Sequence, residues 1–266
     1  MSGIWAVARY EFWMQLRRPA LWVVLTVSCC FITYRMLSLG GDKAAAPTQL
    51  LDWATILRGA AHRSLLENFL LPLAFGILLA DRLPRDRRLR TSELLDATPL
   101  TTGGRLWGKL LGAGGAAVLP IFAYATGVTA YFAVTSGTAA VMPAGLLTFL
   151  AMTIPALAFV GAFALVCTEV VWTPLFIVLF AGYWFWGNLV QPSVAPTLSC
   201  TLLSPVGGNV SAGLFGGTAL YAGSCAHPVT DPTALDALLS LLLIVGAALL
   251  AMLTGQAAAA RRRWAR

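Results

Sequence analysis

Few side chains in this chain are equipped for chemistry, and their spacing excludes most of it. His62 and His227 are the only histidines, so no HExxH zinc site can form. No GxSxG nucleophile elbow is present either. The run GRLWGKLLG, Gly104 to Gly112, superficially resembles a phosphate loop. That motif needs four residues between its glycines and Ser or Thr after the Lys, whereas three residues and Leu110 stand here. Gly104, Gly108 and Gly112 read instead as a small-residue face for close helix packing, or as ordinary membrane glycines. The chain therefore reads as non-catalytic, with no metal or cofactor of its own.

Two acids remain within or beside the apolar segments, Glu67 and Glu169. Glu67 precedes Asp81 by 14 residues, about 21 Å along a helix, which puts it toward the outer end of its segment. It is either a polar point on a substrate path or a residue that reaches outer water or pairs with Arg35 or Arg63. The scarcity of paired ionisable groups argues against a proton- or ion-coupled carrier. Cys200 and Cys225 share one polar segment, where an oxidising environment permits a disulfide. Free thiols, or a soft-metal site with His227, are the other readings.

The strongest signal is the stretch Asp81 to Lys109, DRLPRDRRLRTSELLDATPLTTGGRLWGK, which lies between two long apolar runs. It packs Arg82, Arg85, Arg87, Arg88 and Arg90 into nine residues. Thr91 or Ser92 then caps a short helix to about Ala97, with Glu93 favourable in its first turn and Pro99 beyond its end. Leu94, Leu95 and Leu100 give that helix an apolar face with nothing else in the chain to cover it. Such a face docks a partner, and the alternative is a solvated basic loop on anionic headgroups.

The elements that carry these residues follow from composition. The chain has 266 residues, 58% hydrophobic and only 11% charged, against about 25% charged in soluble domains. It reads as one all-α polytopic membrane domain, residues 1–266, since runs of about 20 apolar residues recur without the period-two alternation of a barrel. A net charge of +7 does not point to nucleic acid, because the basic residues flank apolar spans. No cleavable signal peptide is evident.

Residues 4–18, IWAVARYEFWMQLRR, predict an interfacial helix with Glu11, Gln15 and Arg18 as a polar stripe opposite Trp5, Phe12 and Leu16. Six spans follow: Ala20 to Leu39, Leu65 to Ala80, Leu110 to Val134, Ala144 to Val166, Val170 to Leu189, and Ala234 to Thr254. The second has 16 residues, so it must be short, thin the bilayer, or borrow from a separate surface helix within Leu50 to Ala61. Placing both termini in the cytoplasm puts 14 of the 18 Lys and Arg residues inside, including the 81–109 loop. The 190–233 segment, rich in Gly, Pro, Ser and Thr, then lies outside, and Cys167 to Glu169 forms a tight inner hairpin. Trp172, Tyr183, Trp184, Phe185 and Trp186 read as a cavity lining or an interface belt.

The whole pattern resembles the membrane subunit of an ABC-2-type transporter. The resemblance rests on ARYEFWMQLRRPALWV leading into the first span and on FLLPLAFGILLADRLPRDRRLRTSELLDATPLTTGGRLWGKLLG after it. It implies that Thr91, Ser92, Glu93, Leu94, Leu95, Asp96 and Ala97 form a coupling helix seated in a groove of a separate ATPase, with Glu169 in a second, minor contact. It further implies two copies of a cytoplasmic ATP-binding cassette ATPase carrying ATP and Mg, a second permease copy or paralogue, and a plasma-membrane exporter. Family members often carry re-entrant helices in the segment that is 190–233 here. In this chain that segment has poor helix propensity, leaving the apolar Ala212 to Ala222 as the piece available for an outer gate. The rival readings are a self-contained channel or secondary carrier, and a membrane anchor or assembly protein for a cytoplasmic partner.

Overall fold

The computed structural model describes residues 2–40, 52–82, 84, 101–190, 194–199, 201–218 and 232–264. They form helices joined by turns, with no strand among the described residues. The coupling residues Thr91 to Ala97, together with Cys200 and Cys225, lie outside the described residues.

The helices are α1 (Ser2–Leu16), α2 (Pro19–Gly40), α3 (Trp53–Ala80), α4 (Thr102–Ser136), α5 (Val141–Cys167), α6 (Thr173–Leu189), α7 (Gly208–Phe215) and α8 (Ala234–Trp264). Five of them, α2, α3, α4, α5 and α8, are long and apolar enough to cross a membrane. α6 is equally apolar but has 17 residues.

The second apolar segment is not short: α3 runs unbroken for 28 residues from Trp53, so the span borrows from the stretch before it, and residues 53–61 are continuous with it. The charges that appear to end the span do not, because Arg58 and His62 sit one turn apart on the exposed side while Ile56, Ala60 and Ala61 are buried. α4 likewise starts before Leu110. The Thr101 hydroxyl caps it by accepting from the Gly104 amide at 3.1 Å. At the far end of α4, Gly137 adopts a left-handed φ of 66° and closes the helix on Ala133 and Val134 carbonyls. α8 opens on a reciprocal cap in which the Thr233 amide donates to Asp236 Oδ2 at 2.9 Å.

From α3 to α6 the long helices alternate in direction along the chain. Gly145 of α5 meets Thr129 of α4 at one end, and Gly161 meets Leu110 toward the other. At that second end Gly103 abuts Gln256 of α8, and Gly255 abuts Val166 and Leu106. The end of α3, the start of α4, the α5–α6 hairpin and the end of α8 therefore gather at one end of the bundle, called the base below. α3 is the centre, packed against α2, α5, α6 and α7, with Leu71, Phe75, Leu79 and Ala80 at or near zero exposure.

Two prolines shape the interior. Pro155 has no amide for the Ala151 carbonyl, and α5 widens into a π turn at Phe149–Thr153 just before it. Pro72 likewise has no amide for the Asn68 carbonyl, and next to it the fully buried Trp184 of α6 donates its indole N–H to the Phe69 carbonyl at 2.7 Å. The other aromatic residues considered for a cavity lining do not join Trp184: Trp172, Phe185 and Trp186 are exposed.

The segment after α6 departs from expectation. Residues 204–211 are buried in the bundle, ending in the short helix α7. Asn68 donates to the Val206 carbonyl at 3.1 Å, and Ser240 donates to the Leu202 carbonyl at 2.7 Å. Asn68 lies 12 residues from the end of α3, about 18 Å above the base, so irregular backbone reaches deep between the helices. Such backbone is tolerated at depth only where protein groups satisfy it, and Asn68 and Ser240 do so. Gly207, with φ 90°, is packed against Met152 at the π turn, a position that a side chain would strain. The buried piece is thus upstream of Ala212 to Ala222; residues 212–218 are partly or fully exposed, and 219–222 lie outside the described residues.

Candidate functional site

The base of the bundle is organised by an acid that the sequence places on an exposed-looking helix. α1 runs alongside the first part of α4 in the same direction. Gly104 takes Ile4, Gly108 takes Val7 and the Ile4 carbonyl, and Gly112 takes the Ala8 carbonyl and the Glu11 side chain. A Cβ on Gly108 would stand 2.9 Å from Val7, so the two helices are as close as glycine allows. The small-residue face is real, and its partner is α1.

This contact turns the polar stripe of α1 inward. Glu11 and Gln15 are buried, while Trp5, Tyr10 and Trp13 face outward. Glu11 Oε1 accepts from Lys109 Nζ at 2.8 Å, and its Oε2 lies 3.6 Å from Arg82 Nη1. The exposures are 4% for Glu11 and 1% for each cation, so the cluster is withdrawn from water. At this burial the pairing offsets part of the desolvation cost, and loss of one partner removes that offset. Arg82 opens the basic stretch and Lys109 closes it. Both ends of the 81–109 segment are therefore mounted on one carboxylate of the N-terminal helix.

Glu169 sits half-buried in the α5–α6 turn at the same end. Its amide donates to the Val166 carbonyl at 3.1 Å, and Thr168 folds its hydroxyl back onto Ala164 at 2.8 Å. The hairpin is tight, with Val170 and Trp172 exposed beyond it.

Glu67 belongs to a second polar group higher on α3. Its exposure is 4%, so it does not reach outer water. Arg63, one turn earlier, does not meet it as an ion pair. Arg63 instead places its guanidinium 4.6 Å from the Phe132 ring centroid. Ser64 donates to Thr148 at 3.0 Å, and Asn68 holds the buried loop through Val206. On the adjoining helices, the Tyr124 hydroxyl is within 3.0 Å of Thr33 and donates to the Cys29 carbonyl at 3.3 Å. Arg63, Ser64, Glu67 and Asn68 thus form a polar band around α3 at mid-bundle.

The Glu11 cluster escaped the sequence reading because its members are far apart in the chain, 98 residues for Lys109. The available signal was Glu11 itself, the sole acid in the first 40 residues, together with the glycine spacing at 104, 108 and 112. Among the described residues no group of His, Cys, Asp and Glu is arranged to hold a metal ion. No protein-family model matches the chain, and a search of curated proteins finds no match.

Proposed function

We propose that this chain is the membrane-spanning, non-catalytic permease subunit of an ATP-binding cassette exporter. On this reading α6 crosses the membrane as well, giving six spans with both termini in the cytoplasm. Its 17 residues reach about 25 Å, close to a bilayer core of about 30 Å. The base of the bundle is the cytoplasmic side of the plasma membrane, where most Lys and Arg residues belong.

The observation that carries the proposal is the double anchoring of the 81–109 segment on Glu11. A loop that merely lies on headgroups needs no rigid mount, whereas a loop that receives force from a partner does. Thr91 to Ala97 is the coupling helix in this scheme, Glu169 supplies the minor contact, and two ATPase subunits with ATP and Mg serve a pair of permease copies. ATP is hydrolysed in the partner.

The test is co-purification with a candidate ATP-binding cassette ATPase co-expressed with this chain. Replacing Leu94 and Leu95 together with Asp is expected to abolish association while membrane insertion is unchanged. If the ATPase still co-purifies, the docking assignment fails; if cargo movement needs no ATP, the carrier reading replaces this one.

A further inference from the structure

The inward turn of Glu11 and Gln15 leaves the other side of α1 with a distinct pattern. Trp5, Arg9, Trp13 and Arg17 recur every fourth residue, so aromatic and guanidinium groups alternate along one face at about 6 Å intervals. Trp5 is 73% exposed and Tyr10, beside the stripe, 68%; Arg9, Trp13 and Arg17 are exposed too. Tyr10 and Met14 complete one shallow trough with these four. Among the described residues the trough has two cations and no acid, because the only acid of α1 is committed to Lys109 and Arg82.

The trough's position identifies what fills it. Only Arg17 and Arg18 separate α1 from α2, and the Trp22 indole donates to the Leu16 carbonyl at 2.9 Å, fixing the elbow. Beyond the elbow, α2 exposes Val23, Val27, Phe31 and Tyr34, a surface for acyl chains. A molecule with its tails on that surface has the elbow, and Arg17 at it, within reach of its polar end. Indole and phenol rings suit the headgroup level, and each guanidinium matches a phosphate oxygen pair.

We propose that the Trp5–Arg9–Trp13–Arg17 face of α1 is a binding site for anionic glycerophospholipid, with phosphates on Arg9 and Arg17 and acyl chains along α2. The site does not depend on the exporter reading.

Native mass spectrometry of the full-length protein, exchanged from micelles containing equal phosphatidylglycerol and phosphatidylcholine, tests it. The wild-type protein is expected to retain phosphatidylglycerol preferentially. Arg9→Gln with Arg17→Gln should reduce that preference by about fivefold for each arginine. Arg35→Gln with Arg58→Gln removes the same charge from exposed sites elsewhere and should leave it unchanged. Equal loss in both doubles would reduce the effect to net charge and overturn the proposal, as would no loss in the first. A photoreactive benzoyl-phenylalanine at Tyr10 should cross-link to phospholipid; a cross-link to the ATPase or to a second copy of this chain would overturn it.

Discussion

At the base of the bundle Glu11 has Lys109 at 2.8 Å and Arg82 at 3.6 Å, whereas at mid-bundle Glu67 is equally buried and meets no hydrogen-bond donor among the described residues. The surroundings differ to match. Around Glu11, backbone presses against glycine and nothing can shift without moving a helix. At the level of Glu67, Pro72 stands five residues farther along α3, and Asn68, beside Glu67, holds the irregular backbone at Val206, whose next residue Gly207 packs on Met152 of the α5 π turn. One acid is locked by its partners, and the other lies at the level where the helices are least regular. The base is suited to transmit displacement as a rigid piece, and the middle is suited to change packing.

The sharpest way to break this comparison is to remove the Glu11 charge. Glu11→Gln leaves two nearly inaccessible cations facing a neutral amide, and breaking a buried pair of this kind costs about 3–5 kcal/mol. A large fall in thermal midpoint in detergent is expected, with α1 becoming susceptible to proteolysis. Lys109→Met should also destabilise, and the double replacement should cost less than the sum of the two. Strict additivity would mean that the two residues do not act as a pair.

The two regions also differ in how far they could be read from sequence. The apolar runs of α2, α4, α5 and α8 were legible because burial in lipid demands about 20 apolar residues whatever the tertiary context. The start of α3 was not, since Arg58 and His62 resemble loop charge until the exposed side of the helix is known. The 204–211 segment was hidden for a different reason. Its depth depends on hydrogen bonds given by Asn68 and Ser240 of other helices, and local propensity contains nothing of them. The inward direction of the α1 stripe was equally hidden. A helical wheel separates two faces, but only the glycines of α4 decide which face turns in.

Packing gives a second, smaller contrast. A Cβ on Gly112 would run into the Ala8 carbonyl, which is backbone and cannot rotate away. Gly112→Ala is therefore expected to destabilise by about 1–3 kcal/mol and to loosen α1. Gly127, farther along the same helix, has no atom within 4 Å of such a Cβ. Gly127→Ala should be neutral or stabilising by up to about 1 kcal/mol, read in the same melting experiment. If both alanines behave alike, the base is no tighter than the rest of α4.

Glu67 supplies the smallest effect on stability and the finest distinction. Its carboxyl group has no donor to lose among the described residues, so replacing it with the isosteric amide removes a buried acid without stranding a hydrogen-bonded partner. Arg63 keeps its contact with Phe132, and Asn68 keeps Val206. Glu67→Gln should therefore melt within about 1 kcal/mol of the wild-type protein, or slightly above it. Transport measured at matched expression then separates two roles that stability cannot. A loss of transport with stability retained places Glu67 on the cargo path. Full transport makes it a buried acid that the fold merely tolerates, and a fall in stability as large as that of Glu11→Gln would erase the difference between base and middle.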